Sequence, residues 1–330
     1  MDDTKKNTRE HKSLWLQQYA LKIIANSFYG VLGCPYFRLF KVEAAQTITY
    51  TARKIRQEVH NWFEKKGFKV VYGDTDSVFI NIGNITVEEV KKLNKEINEY
   101  FKSYFLQFEV QPENNIFKLE FEKVCKTVLF KKKADGTGVK KRYAGRTIWE
   151  EEEYVDKFFV VGFESKRSDS PQVGRDLIKQ VLKMICYEQP KEEIDKYVEE
   201  FRKKIIIEFT PEEIGLPIGL SKSLNLYANQ IHARAARLAN EKHNAQIKGG
   251  DKIKYIYVKG PENVIAFKSE KWMWDGYDID YDMMTRRIVD LKIGPLYDGL
   301  GWEYPYIQIK NLKKKKEIRF EDTLTQEELW

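Results

Sequence analysis

Val71-Tyr72-Gly73-Asp74-Thr75-Asp76-Ser77-Val78 sets two carboxylates into a tight bend between two apolar runs, and how this stretch is read decides the fold. Before the bend, Phe68, Val70 and Tyr72 alternate with other residues; after it, Val78, Phe79, Ile80 and Ile82 continue in β-branched and aromatic side chains. That pattern predicts two strands joined as a hairpin. Gly, Asp, Thr and Ser all favour bends through Asx-type hydrogen bonds and positive φ, so turn chemistry alone accounts for the composition. Two acids at one bend also suit a divalent cation. Both readings stay open here, and the flanking chain has to decide.

The chain has 330 residues, enough to bury a substantial core and to form two domains or subdomains. Lys plus Arg exceed Asp plus Glu by 57 to 50, yet 32% of the residues are charged, so most charges solvate the surface. The net +7 permits a nucleic-acid partner without requiring one. Cys34, Cys125 and Cys186 lie far apart, and His11, His60, His232 and His243 form no ligand-spaced cluster. Neither a disulfide framework nor a zinc site is expected. No run approaches the roughly 20 apolar residues of a membrane span, and MDDTKKNTREHKS at the start lacks the apolar core of a signal peptide. The expectation is a soluble protein of the cytoplasm that is not secreted and has no membrane partner.

Residues 1–12 read as a polar leader. A helix begins near Ser13 with Leu14, Leu16, Tyr19, Ile23, Ile24 and Phe28, and ends in Tyr29-Gly30-Val31-Leu32-Gly33. Lys22, Asn26 and Tyr29 fall at i, i+4 and i+7 on one helical face. A cation, an amide and a phenol in a row could hold a polyphosphate and its sugar; a plain amphipathic helix with a snorkelling Lys22 and a packed Tyr29 explains the same residues. A second helix over 41–66 has Val42, Ala45, Ile48, Ala52, Ile55, Val59 and Phe63 as its stripe and Gly67 as its stop.

Past the hairpin, Thr86-Val87-Glu88-Glu89 is a capping box that opens a third helix. Residues 116–130 read as strand, and a Gly-containing bend over 134–138 leads into Lys140-Lys141-Arg142-Tyr143-Ala144-Gly145. With 131–133 also lysine, these form two arms of a basic ribbon. Such a cluster neutralises phosphates, or protects a solvated edge strand. Beyond the acidic tract 150–153, residues 158–164 read as a buried strand and 165–170 as a polar connection, with a domain boundary near 167. Helix starts come next at Ser170-Pro171, at Pro190 and at the capping box Thr210-Pro211-Glu212-Glu213. A long helix bearing Arg234, Arg237, Lys242 and Lys248 runs to Gly249-Gly250, then come a strand at 255–258 and a closing helix over 281–291. The basic run 313–316 reads as a solvated tail.

The order of these pieces carries more than any one of them. Lys-x-x-x-Asn-Ser-x-Tyr-Gly at 22–30, Tyr-Gly-Asp-Thr-Asp-Ser at 72–77, Lys-Lys-Arg-Tyr at 140–143 and Gly162, Glu164, Arg167 and Asp169 in Gly-x-Glu-x-x-Arg-x-Asp stand in succession. That succession resembles the C-terminal half of the B-family DNA polymerases, and a weaker likeness continues to Gly299-Leu300-Gly301. The resemblance implies an α+β fold: a fingers helix over 13–36, the C-terminal part of an antiparallel palm over 37–166, a mainly helical thumb over 167–310 and a tail over 311–330. It implies that Asp76 is a direct metal ligand and Asp74 a supporting one at a two-metal Mg²⁺ site. Lys22 and Asn26 would hold the dNTP triphosphate, with Tyr29 beside the nascent base pair. Thr75, Lys140, Lys141, Arg142, Tyr143 and Arg167 would contact primer–template DNA, largely through its backbone. Glu120 or Glu122 is a candidate third palm carboxylate.

The family's further metal-binding aspartate motif and its exonuclease domain have no counterpart here. The resemblance therefore implies the small subunit of a split polymerase, completed by a complementary N-terminal subunit. A sliding clamp is a further candidate partner, although the ending Gln326-Glu327-Glu328-Leu329-Trp330 lacks the aromatic pair of a clamp-binding peptide. A non-catalytic DNA-binding or scaffolding subunit is the alternative from another class. A sugar transferase using Asp-x-Asp would explain the hairpin but not the basic ribbon.

Overall fold

The computed structural model describes residues 8–132, 136–163, 170–268 and 276–306, and the chain divides into two compact units, Met1–Phe121 and Glu122–Trp330. In the first unit, helix α1 (Arg9–Gly33) starts ahead of Ser13, because the Thr8 hydroxyl accepts the His11 N–H and Glu10 sits in the first turn, at the positive end of the helix dipole. Helix α2 (Val42–Lys65) buries Ala45, Val59, Trp62 and Phe63 and is stopped by Gly67 at φ +86°. Strands β1 (Lys69–Asp74) and β2 (Ser77–Asn81) form the expected antiparallel hairpin. Helix α3 (Val87–Tyr104) opens on the capping box with both halves made: the Thr86 side chain accepts from the Glu89 N–H, and the Glu89 carboxylate accepts from the Thr86 N–H. Val59, Trp62, Phe63, Ile97, Phe101 and Phe105 form this unit's core, with Phe68, Val70, Val78 and Ile80 packed on it from the hairpin.

Residues 116–122, expected as the start of a strand, have no regular structure. Their backbone is satisfied by side chains of α3 instead. The Leu119 N–H donates to Asn98 Oδ1 at 2.8 Å, and the Asn94 and Asn98 amides both donate to the Leu119 carbonyl at 2.9 Å. Phe117 and Leu119 still pack on the core, so the alternation is real while the ladder is not.

The second unit begins with an antiparallel ribbon, β3 (Lys123–Lys132), β4 (Gly138–Glu150) and β5 (Glu153–Val161), in that order across the sheet. The acidic tract 150–153 is the β4–β5 turn: Glu150 pairs with Glu153, and Glu151 and Glu152 both take positive φ, as the favoured type I′ hairpin turn requires. The strand expected over 158–164 therefore starts earlier, at Glu153.

Pro171 and Pro190 precede α4 (Gln172–Cys186) and α5 (Lys191–Ile207), and the second capping box, Thr210 with Glu213, opens the short α6 (Pro211–Ile214). A second sheet has the order β6 (Leu216–Gly219), β7 (Lys252–Tyr257), β8 (Val264–Phe267). Its outer strands were not expected from the sequence. Helix α7 (Ile231–His243) is shorter than expected: Asn244 ends it at φ +51°, and the Asn240 side chain bonds both the N–H and the carbonyl of Ile247. The closing helix is longer, running from α8 (Tyr281–Thr285) through a π turn over Arg286–Asp290 into α9 (Leu291–Leu300), past Pro295.

Ala144, Val160 and Phe163 of the ribbon region share one core with Leu177, Ile178, Val181 and Leu182 of α4. That shared core lies within the second compact unit, Glu122–Trp330. No described helix is long and apolar enough to cross a membrane. Residues 1–7 and the tail over 311–330, with the basic run 313–316 and the ending 326–330, lie outside the described residues.

Candidate functional site

In the β1–β2 hairpin the ladder runs out to the pair Asp74↔Ser77, which leaves Thr75 and Asp76 as the two turn residues. Thr75 has φ +53°, a left-handed conformation that glycine takes freely and a β-branched residue adopts only as an outlier. Backbone strain of this kind persists where its surroundings hold it, and it concentrates at functional turns. The Thr75 hydroxyl reaches Asp74 Oδ1 at 3.4 Å, and the Ser77 hydroxyl donates to the Asp74 carbonyl at 3.3 Å. Asp74 is half-buried and Asp76 exposed. One residue, Val71, is left over between the pairs Val70↔Ile80 and Tyr72↔Phe79; such a bulge bends a strand and re-aims the residues after it. From α2, Arg56 Nη1 donates to the Gly73 carbonyl at 3.4 Å, a contact with no local signal in the sequence.

Paired carboxylate oxygens are the hard donors that Mg²⁺ takes, and they leave most of an octahedral shell to other ligands. Among the described residues, no group of three His, Cys, Asp or Glu side chains gathers, with Glu120 and Glu122 included. Glu120 is exposed and sits 3.7 Å from Lys118. Among the described residues of the first unit, no third carboxylate joins Asp74 and Asp76. The donor set fits part of a metal shell.

Lys22, Asn26 and Tyr29 lie along α1, and all three are exposed. The packed Tyr29 of a plain amphipathic helix is not found, because α1 buries none of its residues. Its apolar side chains are open as well: Leu14, Leu16, Tyr19, Leu21, Ile24 and Phe28 are each more than half exposed. Tyr36, Phe37 and Leu39 after α1 and Tyr50 of α2 are more than half exposed as well.

On the ribbon, Lys140 and Lys141 are exposed and Arg142 is half-buried. Tyr143 is partly committed to packing, its ring 5.9 Å from Phe130 and 6.2 Å from Phe159. Arg146, three residues on, is neutralised by two bonds to Asp156 at 2.9 and 3.2 Å and stacks 4.4 Å over Tyr187. The hydrogen bond from Arg146, then that from Tyr187, holds Asp156 below the ordinary carboxylate range. Lys140 and Lys141 are thus the exposed cations of this stretch. Arg167, with Glu164 and Asp169 of the same motif, lies outside the described residues.

The family model for DNA polymerase family B matches residues 1–292, a span that includes α1, the acidic hairpin, the ribbon and helices α4 to α8. DNA polymerase II of Escherichia coli (strain K12) is 30% identical over 300 residues, covering 88% of this chain and 36% of that protein. A DNA polymerase of Thermococcus gorgonarius is 32% identical over 322 residues, 95% of this chain and 37% of that one. Among solved structures, the family B DNA polymerase of the hyperthermophilic archaeon Pyrobaculum calidifontis matches with a TM-score of 0.60 at 24% identity, over 92% of this chain and 35% of that one, which shows a shared fold. The chain spans little more than a third of the length of these relatives. By the extent of the family match, the chain belongs to DNA polymerase family B.

Proposed function

We propose that this chain is the C-terminal part of a DNA-directed DNA polymerase, which transfers a nucleotidyl group from dNTP to a primer 3′-hydroxyl and needs a complementary N-terminal polypeptide to do so. The carrying observation is the acidic hairpin, where Asp74 and Asp76 flank a Thr75 held at φ +53°. A turn of pure convenience would place glycine or asparagine there. In this reading α1 belongs to the fingers, residues 37–166 to the palm and 167–310 to the thumb.

Each of the chain's own residues then has a part. Asp76, exposed at the tip, is the direct metal ligand, and Asp74 supports it from the strand end. Mg²⁺, when bound, supplies charge neutralisation and a more acidic primer hydroxyl. Lys22 offsets charge on the β and γ phosphates, Asn26 donates to the triphosphate, and Tyr29 flanks the new base pair. Thr75, Lys140, Lys141, Arg142, Tyr143 and Arg167 contact the primer–template, mostly at phosphates, which positions a duplex without reading its sequence. The partial carboxylate set and the open apolar surface of α1 both support a second polypeptide that brings the missing ligands and covers the helix.

With the complement supplied, Asp76→Asn is expected to reduce primer extension to background while assembly and duplex binding persist. Extension by the Asp76→Asn complex would overturn the ligand assignment. Lys141→Ala is expected to weaken duplex binding equally across sequences and to lower the salt slope by about one. The same partial carboxylate set also favours a DNA-binding scaffold; that reading wins if no complement restores extension to the unaltered chain.

A further inference from the structure

Gly162 directly succeeds the last residue of β5 at φ +63°, and a Cβ built on it would lie 1.9 Å from the Lys141 carbonyl oxygen and 3.0 Å from the carbonyl carbon. No side chain fits there without moving one of the two backbones. Lys141 itself has φ +58°, so the chain turns sharply at the point of contact. The β3–β4 register shows why. Phe130 pairs with Tyr143 and Lys132 with Gly138; between those pairs β3 has only Lys131, while β4 has residues 139–142. The surplus forms a wide bulge with Lys141 within it.

A regular strand sends successive side chains to opposite faces, so consecutive cations would be split between them. A bulge with a left-handed residue breaks that alternation. Lys140 and Lys141, neighbours in sequence, are accordingly both exposed. We infer that Gly162 is a positioning residue for the ribbon's contact with duplex phosphates: by lacking a side chain it lets the end of β5 press against the Lys141 carbonyl, which fixes the bulge and keeps the neighbouring Lys140 and Lys141 both exposed. This rests on the proposed binding of primer–template DNA by the ribbon. The ligand is the phosphate backbone of a duplex, and the role of Gly162 is felt entirely through Lys140, Lys141 and Arg142.

The test uses the full chain and a fluorescent primer–template duplex titrated across a salt series, with thermal unfolding in parallel. Gly162→Ala is expected to weaken binding about tenfold and to lower the salt slope by about two, more than Lys141→Ala, because several cations are displaced together. Unchanged affinity and slope in Gly162→Ala would overturn the inference. Deletion of Lys141, which shortens the bulge, keeps the test decisive if the alanine variant folds poorly. In the deletion background Gly162→Ala is expected to cost nothing further in binding or in melting temperature, since the carbonyl it would strike has moved. Equal costs in both backgrounds would overturn the coupling. Should the unaltered chain bind no duplex while the thermal coupling holds, the DNA reading itself is overturned and the steric one is not.

Discussion

Helix α1 leaves Leu14, Trp15, Leu21 and Ile24 between 54% and 68% exposed, whereas helix α4 holds Leu177, Ile178, Val181 and Leu182 at 1% or less. The two sequences are similarly apolar, so composition does not explain the contrast. Spacing does. In α4 those residues recur at i, i+1, i+4 and i+5, one stripe facing one core. In α1, apolar residues at 14, 15, 16, 19, 21, 23, 24 and 28 go round the helix, and a helix apolar on every side is stable only when enclosed. The first unit therefore has a helix whose enclosure is not among the described residues, and the second has a core that closes on itself. Substitutions in the two helices and their surroundings should separate accordingly.

The largest effects are expected in the closed core. Asp290, 5% exposed in the π turn, pairs with the Arg202 guanidinium and accepts the Tyr304 hydroxyl at 2.7 Å. Burial first, and then the Asp290 charge, pushes the Tyr304 phenol up. Asp290→Ala would leave both partners without their acceptor, and breaking a buried pair in this way costs about 3–5 kcal/mol. Denaturant unfolding of the chain measures it. Leu177→Ala comes next, at about 2–5 kcal/mol for the lost burial plus the cavity. A loss under about 1 kcal/mol for Leu177→Ala would mean that this core is looser than its burial shows.

Much of the fold was legible because its signals are local. Thr86 with Glu89, Thr210 with Glu213, Pro171 and Pro190 each mark a helix start within four residues, and the structure honours all of them. What failed was non-local. Phe117 and Leu119 alternate like strand residues, but the backbone of Leu119 is bonded by the side chains of Asn94 and Asn98, 25 and 21 positions upstream. Helix α7 stops at Asn244 because asparagine tolerates the left-handed conformation, while the glycines at 249 and 250 advertise a stop more loudly. In the candidate site the residue types were readable from motif order. The strain at Thr75 was not, since threonine is a poor choice for φ +53°, and the contact between Gly162 and Lys141 joins positions 21 apart.

Smaller effects are expected at the capping boxes, one in each unit. Thr86→Ala and Thr210→Ala should each cost about 1 kcal/mol in denaturant unfolding. The backbone and side-chain bonds from the capping threonines hold Glu89 and Glu213 below their ordinary value of 4.5. A folded carboxylate with a lowered value stabilises above the unfolded one and loses that contribution as pH falls through the folded one. Both caps should thus be intact at neutral pH and weaken only below about pH 4.5, with the threonine variants showing a shallower acid limb. An acid limb unchanged in both variants would detach the carboxylates from the caps.

The smallest effect in the isolated chain is expected on α1. Ile24→Ala removes a large side chain from that helix, yet Ile24 is 58% exposed, so the loss of stability should stay within about 0.5 kcal/mol. In an assembly with the proposed complementary polypeptide, the same substitution is expected to cost several-fold more, because the side chain would then be enclosed and its truncation would leave a cavity. Binding of the complement to the Ile24→Ala chain, measured by titration, separates the cases. A cost as large as that of Leu177→Ala in the chain alone would show that α1 already has its enclosure in this polypeptide. Equal affinity of both chains for the complement would show that the apolar surface around Ile24 is not where it docks. Reduced affinity with unchanged stability is the outcome that ties the exposed helix to assembly, because only an interface makes an exposed isoleucine matter.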